Sequence, residues 1–342
     1  MRDYLALTKP RITLLILICA AVGYWFGCGV SFHLTILAHA LLGTALLASG
    51  TSALNQWYEV DSDAKMRRTR QRPLPAGRIK RRNGLVFGVS LSAAGFADLW
   101  YGTNLLAASL GLFTLISYLL LYTPLKQRSP LCTTVGAIPG AMPPLIGYAA
   151  AGHGIDAGAL ALFLILFLWQ FPHFDAIAWM YRDDYARGGI RMLPVIDSDG
   201  EATARRILVC SLLLIPISLA PLFLAMTGAF YAAAAIAAGI GLLCFGLRMG
   251  RERTHRSANA LLLATVFYLP ALLGVMVLDR KPAAGRVTEM APHQEQSRYE
   301  EAYFGHHIAF HRAGREPDRK RIRSQTQERR PIVYSGRTPR GG

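Results

Sequence analysis

Nine apolar stretches, each near the length needed to cross a bilayer, recur along the chain at roughly 12–28, 34–54, 84–102, 104–122, 133–151, 157–180, 205–226, 229–248 and 258–278. A hydrocarbon core takes about 20 apolar residues in helical form. No water is available there for stray N–H and C=O groups. Uninterrupted runs of this length therefore form helices, since barrel strands are shorter and alternate in polarity. Composition agrees: 52% of the 342 residues are hydrophobic and only 17% are charged, too apolar for an ordinary soluble domain. The expected fold is an all-α integral membrane protein with nine transmembrane helices.

The charges are distributed as such a weave requires. The 23 Lys and Arg before Arg280 fall at the N-terminus and in 57–83, 123–131, 181–206 and 248–257. The connectors near 29–33, 103, 152–156 and 227–228 hold none. By the positive-inside rule the N-terminus and the basic loops are cytoplasmic, and nine spans put the C-terminus outside. The formal net charge of +16 thus has a membrane cause and does not point to nucleic acid. Arg2, Asp3, Lys9 and Arg11 precede the first span, which reads as a retained helix and not a removed signal. Five cysteines, at 19, 28, 132, 210 and 244, form no CxxC and read as small apolar residues. The organisation is one membrane domain, 1–279, and a basic tail, 280–342. That tail carries 14 Lys and Arg against 7 Asp and Glu, and its composition is that of a disordered segment.

The fifth span contains GAIPGAMPPLIGYAAAG, with four glycines and three prolines. Small residues allow close helix approach, and prolines break the ladder and free carbonyls, as in a helix lining an internal cavity. Charged loops follow spans 2 and 6, four spans apart, which suggests a duplicated group of helices.

In the first loop, NQWYEVDSDAKMRRTRQRP, Asn55, Glu59 and Asp63 are spaced i, i+4, i+8. On a helix each step of four turns by about 40°, so all three share a face along about 12 Å. That row is long for one ion but suits several ions bridged by a polyanion. Hard oxygen ligands suit Mg²⁺, which takes one or two carboxylates plus phosphate oxygens. Arg68 and Arg72, one turn apart, can grip phosphate bidentately, and Lys65 adds a point charge. The plainer reading is a solvated loop with i,i+4 pairs, and Asp61, off the row, stays with it. The second loop, YRDDYARGGIRMLP, offers Asp183 and Asp184 with Arg182, Tyr185, Arg187 and Arg191. Adjacent carboxylates on a helix diverge by about 100°, so one faces the site and one faces away. Two such loops over an apolar cavity make a metal-diphosphate clamp for an isoprenoid. His173 and Asp175 lie inside span 6, where ionisable groups are costly. Asp175 and Asp98 read as structurally paired or solvated at the interface. His173 reads as a helix–helix hydrogen bond, a porphyrin contact, or a polar director near the reacting carbon. In the tail His306, His307 and His311 form a loose, metal-like group.

Asn55-xxx-Glu59-xxx-Asp63-xx-Met66-x-Arg68-Thr69-xx-Arg72-Pro73 resembles the first signature of the UbiA superfamily of intramembrane prenyltransferases, and within it the branch that farnesylates haem. YTPLKQRSP, GAIPGAMPPLIGY and PHF followed by YRDDYARGGIRMLP are similar to its other motifs, in order, across 1–279. The resemblance implies helices bundled around a central cavity in a bacterial cytoplasmic membrane. It implies transfer of farnesyl from farnesyl diphosphate to a vinyl group of protohaem IX (haem b), with water addition. Haem b is then a substrate, and a haem A synthase or oxidase assembly proteins are the implied partners. By motif position, Asn55, Glu59 and Asp63 hold Mg²⁺-diphosphate and Asp183 and Asp184 serve a second metal. Arg68, Arg72 and Lys126 take phosphate oxygens, with Lys65 and Arg182 beside them, and His173 lies on the haem side. Ionisation leaves an allylic cation for aromatic faces such as Trp57, Tyr58, Tyr122 and Tyr181. The chain departs from the pattern at Glu59, where Asp is usual, at Gln56, and at Asp175, where Trp is frequent. Arg187 stands where quinone-type relatives complete a DxxxD, which favours the haem branch. The competing readings are a prenyltransferase for a quinone or chlorophyll precursor, and a non-catalytic transporter or assembly factor.

Overall fold

The computed structural model describes residues 1–281; the tail beyond them, with its three histidines, lies outside the described residues. Among the described residues eight helices are long and apolar enough to cross a bilayer. In chain order they are α1 (Pro10–Gly27), α2 (Leu34–Tyr58), α3 (Arg81–Gly102) and α4 (Leu105–Leu125). After two short helices, α5 (Cys132–Gly140) and α6 (Pro143–Ala150), come α7 (Ala157–Met180), α8 (Glu201–Phe223), α9 (Ala229–Glu252) and α10 (His255–Leu278). The chain is a multi-pass membrane protein.

The ninth expected crossing, 133–151, is made by α5 and α6 end to end. Pro143 and Pro144 lack the N–H that would continue the ladder, so α5 stops at Gly140 and a new helix starts. The pair still runs the depth of the bundle. Cys132 packs with Met66, Ala178, Ile190 and Met192 at the end rich in basic residues. Ala149 accepts a 2.7 Å bond from Asn104 Nδ2 at the other.

Seams of small residues hold the bundle where no hydrophobic drive exists between helices in lipid. Gly43 and Gly50 of α2 face Gly95 and Gly88 of α3: a Cβ at Gly43 would lie 2.9 Å from the Gly95 carbonyl, and one at Gly88 2.7 Å from Leu54 Cγ. Gly147 of α6 lets that helix press on the backbone of α1 at Ala20 and Tyr24. The intramembrane acids are paired, as expected: Asp98 with His39 Nδ1 at 2.9 Å, and Asp175 bidentately with Arg206. Four cysteines are buried and Cys244 is exposed, and none of these is in a disulfide.

The basic connectors come together at one end. Arg78 reaches Asp3 at 3.0 Å, the Arg191 N–H reaches the Lys126 carbonyl at 2.7 Å, and Arg253 reaches the Asp199 carbonyl at 2.7 Å. At the opposite end Arg280 bonds the Gly29 carbonyl at 2.7 Å.

Candidate active site

A cavity of about 450 Å³ opens among α1, α2, α4, α5, α6, α7 and α10. Its wall is apolar and aromatic, with Tyr118, Tyr122, Trp169 and Phe174. The two tyrosines reach it because α4 widens to a π-helical turn over Ser117–Tyr122, where the Thr123 N–H bonds the Tyr118 carbonyl. Their rings meet edge to face at 4.9 Å. On α7, His173 also lines the cavity. Its ring stacks on Trp169 at 4.7 Å, and its Nδ1 pairs with Thr265 Oγ1 of α10 at 2.9 Å. The helix–helix hydrogen bond read from the sequence is present, and the ring also lines the cavity.

Over the tyrosine end lies a set of matched charges. Asn55, buried, donates from Nδ2 to Thr123 Oγ1 at 3.2 Å. Glu59 Oε1 holds Lys126 Nζ at 2.8 Å, and that ammonium sits 4.4 Å from the centroid of Tyr122. Asp63, 1% exposed, holds Arg72 Nη1 at 2.7 Å. Burial works against the charge on Lys126, but Glu59, Tyr122 and Tyr118 together outweigh it and hold the ammonium well above the usual lysine range. Lys9 completes the group. It lines the cavity and interacts electrostatically with Arg72, Lys126, Glu59 and Asp63. Burial, with help from Arg72 and Lys126, lowers its ammonium to about 8.

The row of three is not one straight helix. Helix α2 ends at Tyr58, Glu59 turns at φ −91°, ψ 11°, and a single-turn helix Val60–Lys65 carries Asp63. Arg68 and Arg72 do not share a helical turn as the spacing predicted. Met66 is extended (φ −91°, ψ 133°) and ends the helix before them. Arg72 then folds back on Asp63. Arg68 lies over the rings of Tyr181 and Tyr185 at 5.3 and 5.4 Å and donates to Tyr185 Oη at 3.1 Å. Lys65 and Asp61 are exposed.

In the second loop Asp184 is buried and Asp183 is not. Asp184 accepts from the backbone N–H groups of Arg67 (2.7 Å) and Arg68 (3.1 Å) and from Arg187 Nη2 (2.5 Å). Burial raises its pKa, but Arg187 and those two N–H groups outweigh burial and hold the carboxyl below its ordinary value. Asp183 is 89% exposed, 4.0 Å from Arg182 Nε, and Arg182 lies over Trp179 at 4.8 Å.

Sequence reasoning missed Lys9, Tyr118, Trp169 and Phe174. Lys9 was counted only among the charges before the first span. The aromatic pairs had a signal: Tyr118 and Tyr122, like Trp169 and His173, stand four apart on one helix face. Among the aromatics that were considered, Tyr122 lines the cavity. Trp57 lies 5.5 Å from Arg81, Tyr181 lies under Arg68, and Tyr58 is exposed.

Among the described residues no three His, Cys, Asp or Glu side chains converge on one ion-sized point. The donors present are an amide and carboxylates on successive turns, hard oxygens of the kind Mg²⁺ takes in ones and twos before phosphate and water complete its shell. They fit that ion in company with a phosphate.

A bundle of membrane helices enclosing an aromatic cavity, closed at one end by paired acids and bases, defines an intramembrane enzyme for a molecule with an apolar body and an anionic head. Residues 16–276 match the UbiA prenyltransferase family, and the chain belongs to it. It is 54% identical over 289 residues to the protoheme IX farnesyltransferase of Solibacter usitatus (strain Ellin6076), covering 82% of this chain and 99% of that one. Against the protoheme IX farnesyltransferase of Koribacter versatilis (strain Ellin345) the identity is 47% over 290 residues, covering 82% and 94%. Among solved structures, a digeranylgeranylglyceryl phosphate synthase superposes with TM-score 0.69 at 16% identity, covering 81% of this chain and 97% of that one. A UbiA homolog from Archaeoglobus fulgidus bound to GPP and Mg²⁺ gives 0.55 at 17% identity, covering 80% and 99%. Both likenesses establish the fold.

Proposed function

We propose that this protein transfers the farnesyl group of farnesyl diphosphate to a vinyl carbon of protohaem IX, with water addition, giving a hydroxyethylfarnesyl haem. The observation that carries the prenyl-transfer reading is the pair of matched charges, Glu59–Lys126 and Asp63–Arg72, set against the aromatic end of the cavity. The choice of haem as acceptor rests on the named relatives.

Asn55, Glu59 and Asp63 are the residues to hold Mg²⁺, and Asp184 of the second loop positions the segment that follows them. The bound ion supplies charge neutralisation to a leaving diphosphate. Lys126 and Arg72 stand ready for phosphate oxygens as they exchange their carboxylate partners for substrate, and Arg68 flanks them. Lys65 and Arg182 are left to the loop surface. Tyr118, Tyr122 and Trp169 are the cavity aromatics to stabilise an allylic cation, and their apolar surroundings keep water from quenching it early. Thr265 fixes the ring of His173, so the opposite nitrogen is free to orient the acceptor. The basic end faces the cytoplasm of a bacterial membrane. Catalysis belongs to 1–279, and a haem A synthase or oxidase assembly proteins are partners that would take up the product.

The test is extraction of haems from cells that make no farnesylated haem of their own, after expression of this chain. Chromatography and mass measurement should reveal a farnesylated, hydrated protohaem. A prenylated aromatic acid in its place would move the chain to the quinone branch. Absence of diphosphate release from farnesyl diphosphate by the purified protein would end the enzyme reading.

A further inference from the structure

Lys9 stands in a backbone conformation that lysine rarely takes. Its φ and ψ are 48° and 60°, in the left-handed region, directly before Pro10. An L side chain there is strained, and a following proline further restricts the residue. Such strain persists where the surroundings over-determine it. On one side Leu7 is buried and its carbonyl is tied to Gln56 Nε2 of α2 at 2.9 Å. On the other, the Lys9 carbonyl accepts the N–H groups of Ile12 and Thr13, at 3.0 and 3.1 Å, and so caps α1.

The consequence of this posture is where the side chain goes. Lys9 reaches the cavity wall, in the field of both matched pairs. Glu59 and Lys126 cancel, as do Asp63 and Arg72. The Lys9 ammonium makes no hydrogen bond or ion pair among the described residues. It is surplus positive charge beside those pairs, and with Arg11 it lines the space a substrate fills. A charge held in such a place is costly unless something anionic meets it.

We propose that Lys9 is a substrate-binding residue whose ammonium takes an anionic oxygen of a bound substrate. The assignment rests on the proposed function, which offers two sources of that oxygen: the diphosphate of the prenyl donor and the carboxylates of the haem. The left-handed backbone allows a test that separates side chain from backbone. Glycine occupies that region without cost, so Lys9→Gly relieves strain while removing the charge. In the full chain, purified in lipid nanodiscs, Lys9→Gly should melt no lower than the parent. It should bind one anionic substrate about tenfold or more weakly, the scale of a lost charge-assisted bond. Lys9→Arg should recover most of that loss, and Lys9→Met should not.

The probes are farnesyl thiolodiphosphate with Mg²⁺, haem b, and haem b dimethyl ester. A loss confined to the thiolodiphosphate identifies the donor as the source. A loss for haem b, with the dimethyl ester bound alike by parent and variant, identifies the carboxylates. If Lys9→Gly and Lys9→Met bind every probe as the parent does, Lys9 is a capping residue only and the assignment is wrong. If the parent itself binds neither substrate, the proposed function fails first and the assignment with it.

Discussion

After Tyr58, and again after Met180, a long membrane helix stops, the chain turns through one residue, and a short helix presents two acidic groups at the basic end of the bundle. The repetition goes no further than the backbone. In the first loop both inward acids meet side-chain cations over the cavity, Glu59 with Lys126 and Asp63 with Arg72. In the second, Asp184 meets Arg187 of its own loop and the backbone N–H groups of the first loop, and Asp183 meets solvent. A carboxylate that holds an exchangeable cation can take part in chemistry. One that holds two backbone amides of another segment sets where that segment lies. On the proposed function, the first loop is then the reactive one, and the second positions it.

The sharpest way to break this contrast is Asp63→Ala. It removes a site donor and strands Arg72, and the rate of farnesylated haem formation should fall by about 100-fold or more. Asp184→Ala should act through position, lowering the same rate by about tenfold. Its distinguishing sign is faster hydrogen exchange at the Arg67 and Arg68 amides. In the parent that protection should survive mild acid. The depressed carboxyl keeps its charge below the ordinary aspartate range near about 4, and the clamp is lost only as pH falls through the folded value. Asp183→Ala should be the quietest, within about 0.5 kcal/mol in stability and about twofold in rate. A rate loss at Asp183 equal to that at Asp184 would erase the distinction between the inward and outward acids.

Much of the fold was legible because lipid leaves a chain so few options. Apolar length marked the spans, and alternating basic connectors marked the ends. The prolines at 139, 143 and 144 announced a disturbed helix, though not that it would become two. The π-helical turn at Ser117–Tyr122 had no herald, since SYLLLY is as good a helical sequence as its neighbours. In the site, charge positions could be read but their partners could not. Glu59 and Lys126 are 67 residues apart and meet only through the packing of α2 on α4. The Arg68–Arg72 spacing misled because it presumed a helix that Met66 ends. Lys9 was hidden for another reason: its importance lies in a backbone angle, which residue type does not encode.

The two-piece crossing of α5 and α6 also bears on how the protein is made. A span enters the bilayer from the translocon on its own apolar free energy, and eight segments here have the length and hydropathy for that. This one, halved by prolines, offers two helices of nine and eight residues in place of one. Its holds within the bundle include α1 through the Gly147 seam and α4 through Asn104, both earlier in the chain. A lesion in α1, far away in sequence, would be felt first as a failure of insertion at residues 132–150.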